Sequence, residues 1–230
     1  MKNYLLIGGS YGIGLELAAR LSKSGTVYIA SRTAPSSTDF PVVHIPFDAL
    51  SDEFPADRLP ESLDGFAYLP GSINLKPFRS LKVSHFEEDL SINFISMVRT
   101  LQSALTLLLK SPSPSIVLFS SVAAGTGMPF HTSIAAAKGA VEGFARALAA
   151  ELAPKCRVNV VAQSLTDTPL AEKFLSNDAK RTNAAERHPL KRIGSVSDVA
   201  NAAAFLLNED NGWITGQVLH VDGGMSTLSV

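Results

Sequence analysis

The sequence predicts an α/β fold, a single domain over residues 1–230 in which a parallel sheet of about seven strands is wound on both faces by helices. Three observations predict it. Short apolar runs alternate with helical-period segments along the whole chain, the pattern of strands joined by crossover helices. The length of 230 residues suits one such domain and leaves too little chain for two separate cores. The opening stretch, Tyr4-Leu-Leu-Ile-Gly8-Gly-Ser-Tyr-Gly12-Ile-Gly14, reads as strand, glycine turn and helix start.

In that opening, Leu5, Leu6 and Ile7 form the continuous apolar run of a strand buried on both faces. The helix then reads over Leu15–Ser24, with Ile13, Leu17, Ala18 and Leu21 at helical spacing and Gly25 as its stop. Glycine lets backbone turn tightly and approach a diphosphate with no Cβ in the way, and the helix N-terminus offers free N–H groups and partial positive charge. Gly8, Ser10, Tyr11, Gly12, Ile13 and Gly14 are therefore candidate nucleotide-binding residues. The plain alternative is a tight βα turn.

Thr26–Ala30 reads as the second strand, ending at Ser31-Arg32. In dinucleotide folds the residue ending this strand meets the adenosine ribose, where an acid bonds the 2′-hydroxyl and an arginine accommodates a 2′-phosphate. Ser31 carries no charge to repel phosphate and Arg32 offers a planar cationic fork, which favours NADP over NAD. Arg32 as an ordinary surface residue is the other reading. Thr33–Ser37 is rich in proline and serine, and the third strand, Val42–Phe47, follows so soon that a loop or single turn replaces a crossover helix. Asp48 follows that strand, where a carboxylate can take the adenine amino group or cap the segment beginning near Ser51.

Residues 51–63 are another short connection before the fourth strand, Gly65–Leu69, which breaks at Pro70-Gly71-Ser72. Phe86–Lys110 predicts one long helix, with Phe86, Leu90, Phe94, Met97, Leu101, Leu105 and Leu108 along a stripe. The fifth strand is Ser115–Ser120, followed by an alanine-rich helix over Ile134–Ala153 and a sixth strand over Arg157–Ala162. Ser164–His188 is polar and irregular, helical only at Leu170–Leu175, and an insertion of this kind often lies over a site as a lid. The last helix reads over Asp198–Leu207 and the last strand over Gln217–Val221.

Composition removes several classes of function. Hydrophobic residues make up 46% and charged residues 18%, a balance that can bury a sizeable core. A net charge of −1 with no basic run lacks the electrostatic footprint of nucleic-acid binding. Cys156 is the single cysteine, which excludes an intrachain disulfide and a cysteine-rich zinc site, and no His/Cys/Asp/Glu group has metal-ligand spacing, so no metal is expected. No apolar run has membrane-spanning length, and the first strand begins almost at once, so no membrane partner and a cytoplasmic location are expected. Ser121 with Lys138 could suggest a serine hydrolase, but no glycine-flanked nucleophile turn surrounds Ser121.

The chain resembles the short-chain dehydrogenase/reductase family along nearly its whole length. Ile7-Gly8-Gly-Ser-Tyr-Gly12-Ile-Gly14 is similar to the family's opening glycine motif, Tyr68-Leu-Pro-Gly71 falls on its Asn-Asn-Ala-Gly, and Asn93 matches its mid-helix asparagine. Ser120-Ser121-Val122 matches the motif after the fifth strand, and the closing region carries Pro189-Leu-Lys-Arg-Ile-Gly194, Ile214-Thr-Gly-Gln-Val218 and Val221-Asp-Gly-Gly224. The resemblance implies a Rossmann fold, a nicotinamide cofactor, a small-molecule substrate, and a homotetramer or homodimer joined through the two long helices. It also implies that Gly71 packs near the ribose, Lys138 bonds the nicotinamide ribose, Thr168 touches carboxamide or diphosphate, and Ser121 and Asn93 line the reaction point.

One departure is chemical. The family's proton-donating tyrosine lies four residues before the lysine, and here the segment reads Ile134-Ala-Ala-Ala-Lys138. Ser121 stands thirteen residues before Ile134, the family's interval, so the register holds. Gln163-Ser164 likewise replaces the family's Pro-Gly after the sixth strand. Losing a positioned acid typically costs about 10²–10⁴-fold in rate. His131, seven residues before Lys138, matches the tyrosine-to-lysine interval of enoyl-acyl-carrier-protein reductases and is a candidate acid, or else an ordinary loop histidine. Two other readings stay open: a reduction that takes its proton from water or substrate, and a cofactor-binding subunit without turnover. Ile134 itself is either natural or introduced to disable an enzyme.

Overall fold

The computed structural model describes residues 1–36 and 38–229, so Ser37, the end of the Pro/Ser-rich stretch, lies outside the described residues. Seven parallel strands form one sheet in the order β3-β2-β1-β4-β5-β6-β7. They are β1 Lys2–Ile7, β2 Gly25–Ser31, β3 Val43–Pro46, β4 Gly65–Tyr68, β5 Ser115–Ser121, β6 Arg157–Gln163 and β7 Val218–Val221. The chain reverses its winding between β1 and β4, which opens a crevice at the carboxyl ends of the strands.

Alternation along the strands divides the core. Leu5, Ile7, Phe66, Ile116 and Leu118 face the layer built by α3 (Ser96–Leu108) and α4 (Thr132–Leu152). Leu6, Ile29, Ala67, Val117 and Val161 face α1 (Gly12–Leu21) and α6 (Val196–Leu207). The doubly wound expectation is met, and β2 runs to β3 with no helix between them among the described residues.

Three expectations are corrected. The helix expected over Phe86–Lys110 is not continuous: α2 (Val83–Leu90) passes through a π-helical turn, Ser91–Ile95, into α3. The local cause is Asn93, whose Nδ2 donates to the Asp89 carbonyl at 2.8 Å, the acceptor a regular turn would offer the Asn93 N–H. The segment expected to be irregular after β6 contains a further helix, α5 (Asp178–Glu186), whose N-terminus is capped by Asn177 Oδ1 accepting from the Lys180 N–H at 2.9 Å. Its weak apolar pattern hid it, because only Ala184 of that helix is buried. The first helix also begins at Gly12 rather than Leu15.

The start of α6 is fixed by a reciprocal cap. Ser195 Oγ accepts from the Asp198 N–H at 3.2 Å, Asp198 Oδ2 accepts from the Ser195 N–H at 2.8 Å, and Arg192 clamps the same carboxylate at 2.6 and 2.9 Å. The guanidinium holds the Asp198 carboxyl well below the usual range. Ser195→Ala is expected to cost about 1 kcal/mol, read as a fall of about 2–4 °C in Tm. An unchanged melting curve would show that the cap contributes nothing.

Candidate active site

The glycine turn is built by sterics. Gly8 and Gly12 hold φ of +77° and +60°, a region disfavoured for residues with a side chain, and an ideal Cβ on Gly14 would lie 2.5 Å from Gly9 Cα. Backbone can pass at this point only as glycine, and the N-terminus of α1 opens onto the crevice immediately after it. The result is an open cleft of about 550 Å³ over the strand ends. Gly8, Ser10, Tyr11, Gly12, Ile13 and Gly14 line one end of it, together with Ser31, Arg32 and Asp48. Ser10 Oγ is bonded to Ser31 Oγ at 2.8 Å and to the Thr33 carbonyl, which ties the glycine loop to the end of β2. Arg32 is exposed, with no ion pair among the described residues. Asp48 lines the cleft and also caps the next turn, its Oδ1 accepting from the Leu50 N–H at 3.0 Å. Thr168 abuts the glycine loop, with its side chain about 3.8 Å from where a Gly12 Cβ would sit.

At the other end stand Gly71, Ser121, Ile134 and Lys138. Ile134 and Lys138 are four residues apart on α4, hence on one face of it, and Ile134 is 5% exposed. Lys138 Nζ donates to the Phe119 carbonyl at 2.9 Å. Burial pushes this ammonium down to about 8, against an opposing pull from Asp89. Ser121 Oγ accepts the Ala123 N–H at 3.2 Å, which leaves the Ser121 proton to point elsewhere. Tyr11 is the one tyrosine lining the cleft, and it sits at the start of α1 rather than on α4. The Tyr68 phenol is buried under the sheet end, bonded to the Ile92 carbonyl and Ser96, and burial raises it to about 12.

Asn93, expected at the reaction point, is not in the cleft wall. It is 1% exposed beneath it, with Nδ2 donating to Ser72 Oγ at 2.9 Å. Its buried Oδ1 has no hydrogen-bond partner and lies 3.0 Å from where a Gly71 Cβ would sit. Sequence reasoning missed Asp89, fully buried and accepting from Ser72 Oγ and from Asn74 Nδ2 (2.8 Å). The available signal was an acid one turn before Asn93 inside an apolar stripe. His131 does line the cleft, at the N-terminus of α4, with Nδ1 bonded to the Pro129 carbonyl at 2.7 Å.

The insertion after β6, expected as a lid, contributes residues to the cleft wall. Leu165, Thr168, Leu170, Phe174, Asn183 and His188 all line the cavity. The lid has a small core of its own in Ala171, Leu175 and Ala184, and Arg181 clamps Asp167 at 2.8 and 3.2 Å. His188, read from sequence only as a loop residue, is 3% exposed within this wall.

A doubly wound parallel sheet, a glycine cradle at its first βα turn and a buried lysine across the crevice together define a dinucleotide-cleft α/β domain. The profile of the enoyl-(acyl carrier protein) reductase family matches residues 48–226. The 3-oxoacyl-[acyl-carrier-protein] reductase FabG of Aquifex aeolicus is 30% identical over 242 residues, covering 97% of each chain. Thermoplasma acidophilum aldohexose dehydrogenase superposes with a TM-score of 0.88 at 27% identity, covering 100% of this chain and 96% of that one. A tyrosine-to-phenylalanine variant of ElxO with NADPH bound gives 0.89 at 27% identity, covering 99% of both. The chain belongs to the short-chain dehydrogenase/reductase family.

Proposed function

We propose that this chain is an NADP(H)-dependent oxidoreductase acting on a small carbonyl, imine or conjugated substrate, with Ile134 standing where its family carries the proton-donating tyrosine. The observation that carries the reading is the pairing of Ile134 and Lys138 on one face of α4, in the wall of a cleft whose far end is a glycine cradle. The residues present fit the cofactor. The Gly9–Gly14 contact leaves no room for side chains beside a diphosphate, and Gly71 leaves the orphaned Asn93 Oδ1 and Lys138 Nζ without an intervening Cβ. NADP(H)-bound forms of ElxO, at 26–27% identity, support the choice of cofactor.

Bound in this cleft, the reduced nicotinamide supplies a hydride. Gly8, Ser10, Tyr11, Gly12, Ile13, Gly14 and Thr168 hold the diphosphate side, where the α1 N-terminus favours negative charge. Arg32 with Ser31 takes the 2′-phosphate and Asp48 the adenine. Lys138 donates to the nicotinamide ribose, and Ser121 turns its free proton toward the acceptor. Asn93 acts as a positioning residue, through Ser72 and the buried Asp89. A homotetramer or homodimer, joined through α3 and α4, and a cytoplasmic location complete the proposal.

The experiment is an NADPH fluorescence titration followed by a turnover screen over a β-ketothioester, an aryl aldehyde, a cyclic imine and cyclohexenone. Binding with oxidation of NADPH supports the reductase; binding with no oxidation across the panel supports a cofactor-binding subunit instead. Cofactor choice has its own test. A charge-assisted contact to phosphate is worth about 1.5–3 kcal/mol, so Arg32→Ala is expected to weaken NADPH at least tenfold while NADH changes less than about twofold. Equal losses for both would refute the phosphate assignment.

A further inference from the structure

With no phenol on α4, the proton for the acceptor needs another source, and the lid places one at the end of β6. Ser164 follows Gln163 directly, and Gln163 pairs in register with Ser121 across β5 and β6. Ser164 is thus the next residue beyond that pair at the carboxyl end of the sheet, and like Ser121 it lines the cleft. Ser164 Oγ lies 2.8 Å from Nε2 of His188, and Nδ1 of the same ring lies 2.8 Å from the Ala184 carbonyl.

A carbonyl only accepts, so Nδ1 carries a proton and Nε2 is the bare nitrogen of the neutral ring. In that state Ser164 donates to Nε2 and turns its lone pairs to the cleft. The sulfur of Met225, 3.2 Å away, is a weaker acceptor for the same proton. When the ring gains a proton the bond reverses: Nε2–H donates to Ser164 Oγ, whose own hydrogen is free to face the cleft. A hydroxyl bonded to an imidazole that a third group orients is the arrangement of an activated proton-transfer pair. Both residues also line a second hollow of about 290 Å³, shared with His220 and Asp222.

We infer that Ser164 and His188 form the proton relay of this chain, Ser164 as the catalytic residue that touches the acceptor and His188 as the positioning residue that recharges it. In reduction, the acceptor carbon gains a hydride, with its electron pair, from the reduced nicotinamide. The acceptor heteroatom takes the Ser164 hydroxyl proton, and Ser164 Oγ takes the proton from His188 Nε2. The imidazolium becomes neutral imidazole, still holding Nδ1–H against Ala184, and solvent returns the proton. Oxidation of an alcohol runs the same bonds backwards from the neutral ring. The inference rests on the oxidoreductase reading and supplies the group which that reading leaves open. His131 differs in that nothing among the described residues is bonded to its Nε2.

The test combines kinetics with a measurement that needs no turnover. With whichever panel substrate the native chain reduces, Ser164→Ala is expected to lower kcat at least tenfold, with KM and NADPH affinity within about twofold. Ser164→Thr, which restores a hydroxyl, should recover most of the loss. His188→Asn keeps a donor for Ala184 but removes the ring nitrogen facing Ser164, and should fall to the level of Ser164→Ala, with the double variant no lower. Ring ¹⁵N spectra of the cofactor-free chain, assigned by the signal lost in His188→Asn, should show the Nδ1–H tautomer of His188, with an Nε2 resonance that moves in Ser164→Ala. Full kcat in Ser164→Ala, loss confined to His131→Ala, or an Nε2 resonance indifferent to Ser164 overturns the relay and leaves the reductase reading standing. A native chain that binds NADPH yet oxidises it with no panel substrate overturns both.

Discussion

Lys138→Met is expected to weaken NADPH binding at least tenfold and to reduce turnover by about three orders of magnitude, with the fold intact. The side chain is 9% exposed and its Nζ has one protein acceptor, the Phe119 carbonyl, so its remaining protons are available to a ligand in the cleft. Methionine keeps an unbranched apolar stem of similar length, and removes the ammonium with its donors to a ligand and to the Phe119 carbonyl. Charge-assisted hydrogen bonds are about twice as strong as neutral ones and stronger still away from water. The substitution also has a stability signature. Burial lowers this ammonium from 10.5 to about 8. Above about pH 8 the folded chain sheds the proton, whereas the unfolded chain keeps it up to 10.5. Across that window the unfolded state binds more protons, so Lys138 makes stability rise with pH. The Tm difference between the native chain and Lys138→Met should therefore move in favour of the native chain between pH 8 and 10.5. Parallel pH–Tm curves would mean that the lysine is solvated, and undiminished NADPH affinity would remove it from the cofactor site.

Gly14→Ala is expected to lower NADPH affinity at least a hundredfold, and to cost about 1–3 kcal/mol of stability, the usual range for overpacking. The new methyl would meet Gly9 Cα at 2.5 Å and Gly9 N at 3.0 Å, both backbone atoms with no rotamer to yield. Relief requires the glycine loop to move off the α1 N-terminus, and with it the N–H groups that would face a diphosphate. Gly143→Ala on α4 is the control, because nothing lies within 4 Å of a Cβ there. It should leave binding unchanged. Native-like NADPH affinity in Gly14→Ala would show that the cradle does not hold the phosphates.

The site's reading from sequence was uneven for physical reasons. Glycines needed for close backbone contact are visible because their spacing between strand and helix is local, and the cradle from Gly8 to Gly14 lines the cleft. Asn93 was legible as a residue but not in its place, since the π turn that sinks it beneath the cleft depends on its amide capturing the Asp89 carbonyl. Asp89 takes its hydrogen bonds from Ser72 and Asn74, which arrive from another segment of chain. Helix α5 carries almost no apolar stripe, so periodicity is silent about it.

What the amino-acid order determined by itself was the seven-strand parallel sheet, the glycine cradle, the cationic end of β2, and an aliphatic side chain four residues before Lys138. Each is written in nearest-neighbour spacing, which backbone geometry converts directly into strands, turns and helix faces. Only the tertiary structure decided that Ser164 and His188 meet. They are twenty-four residues apart, and the lid must fold back over the end of β6 before a hydroxyl and an imidazole come within 2.8 Å. No local period encodes such a contact, because it depends on where the lid's small core of Ala171, Leu175 and Ala184 settles against the cleft.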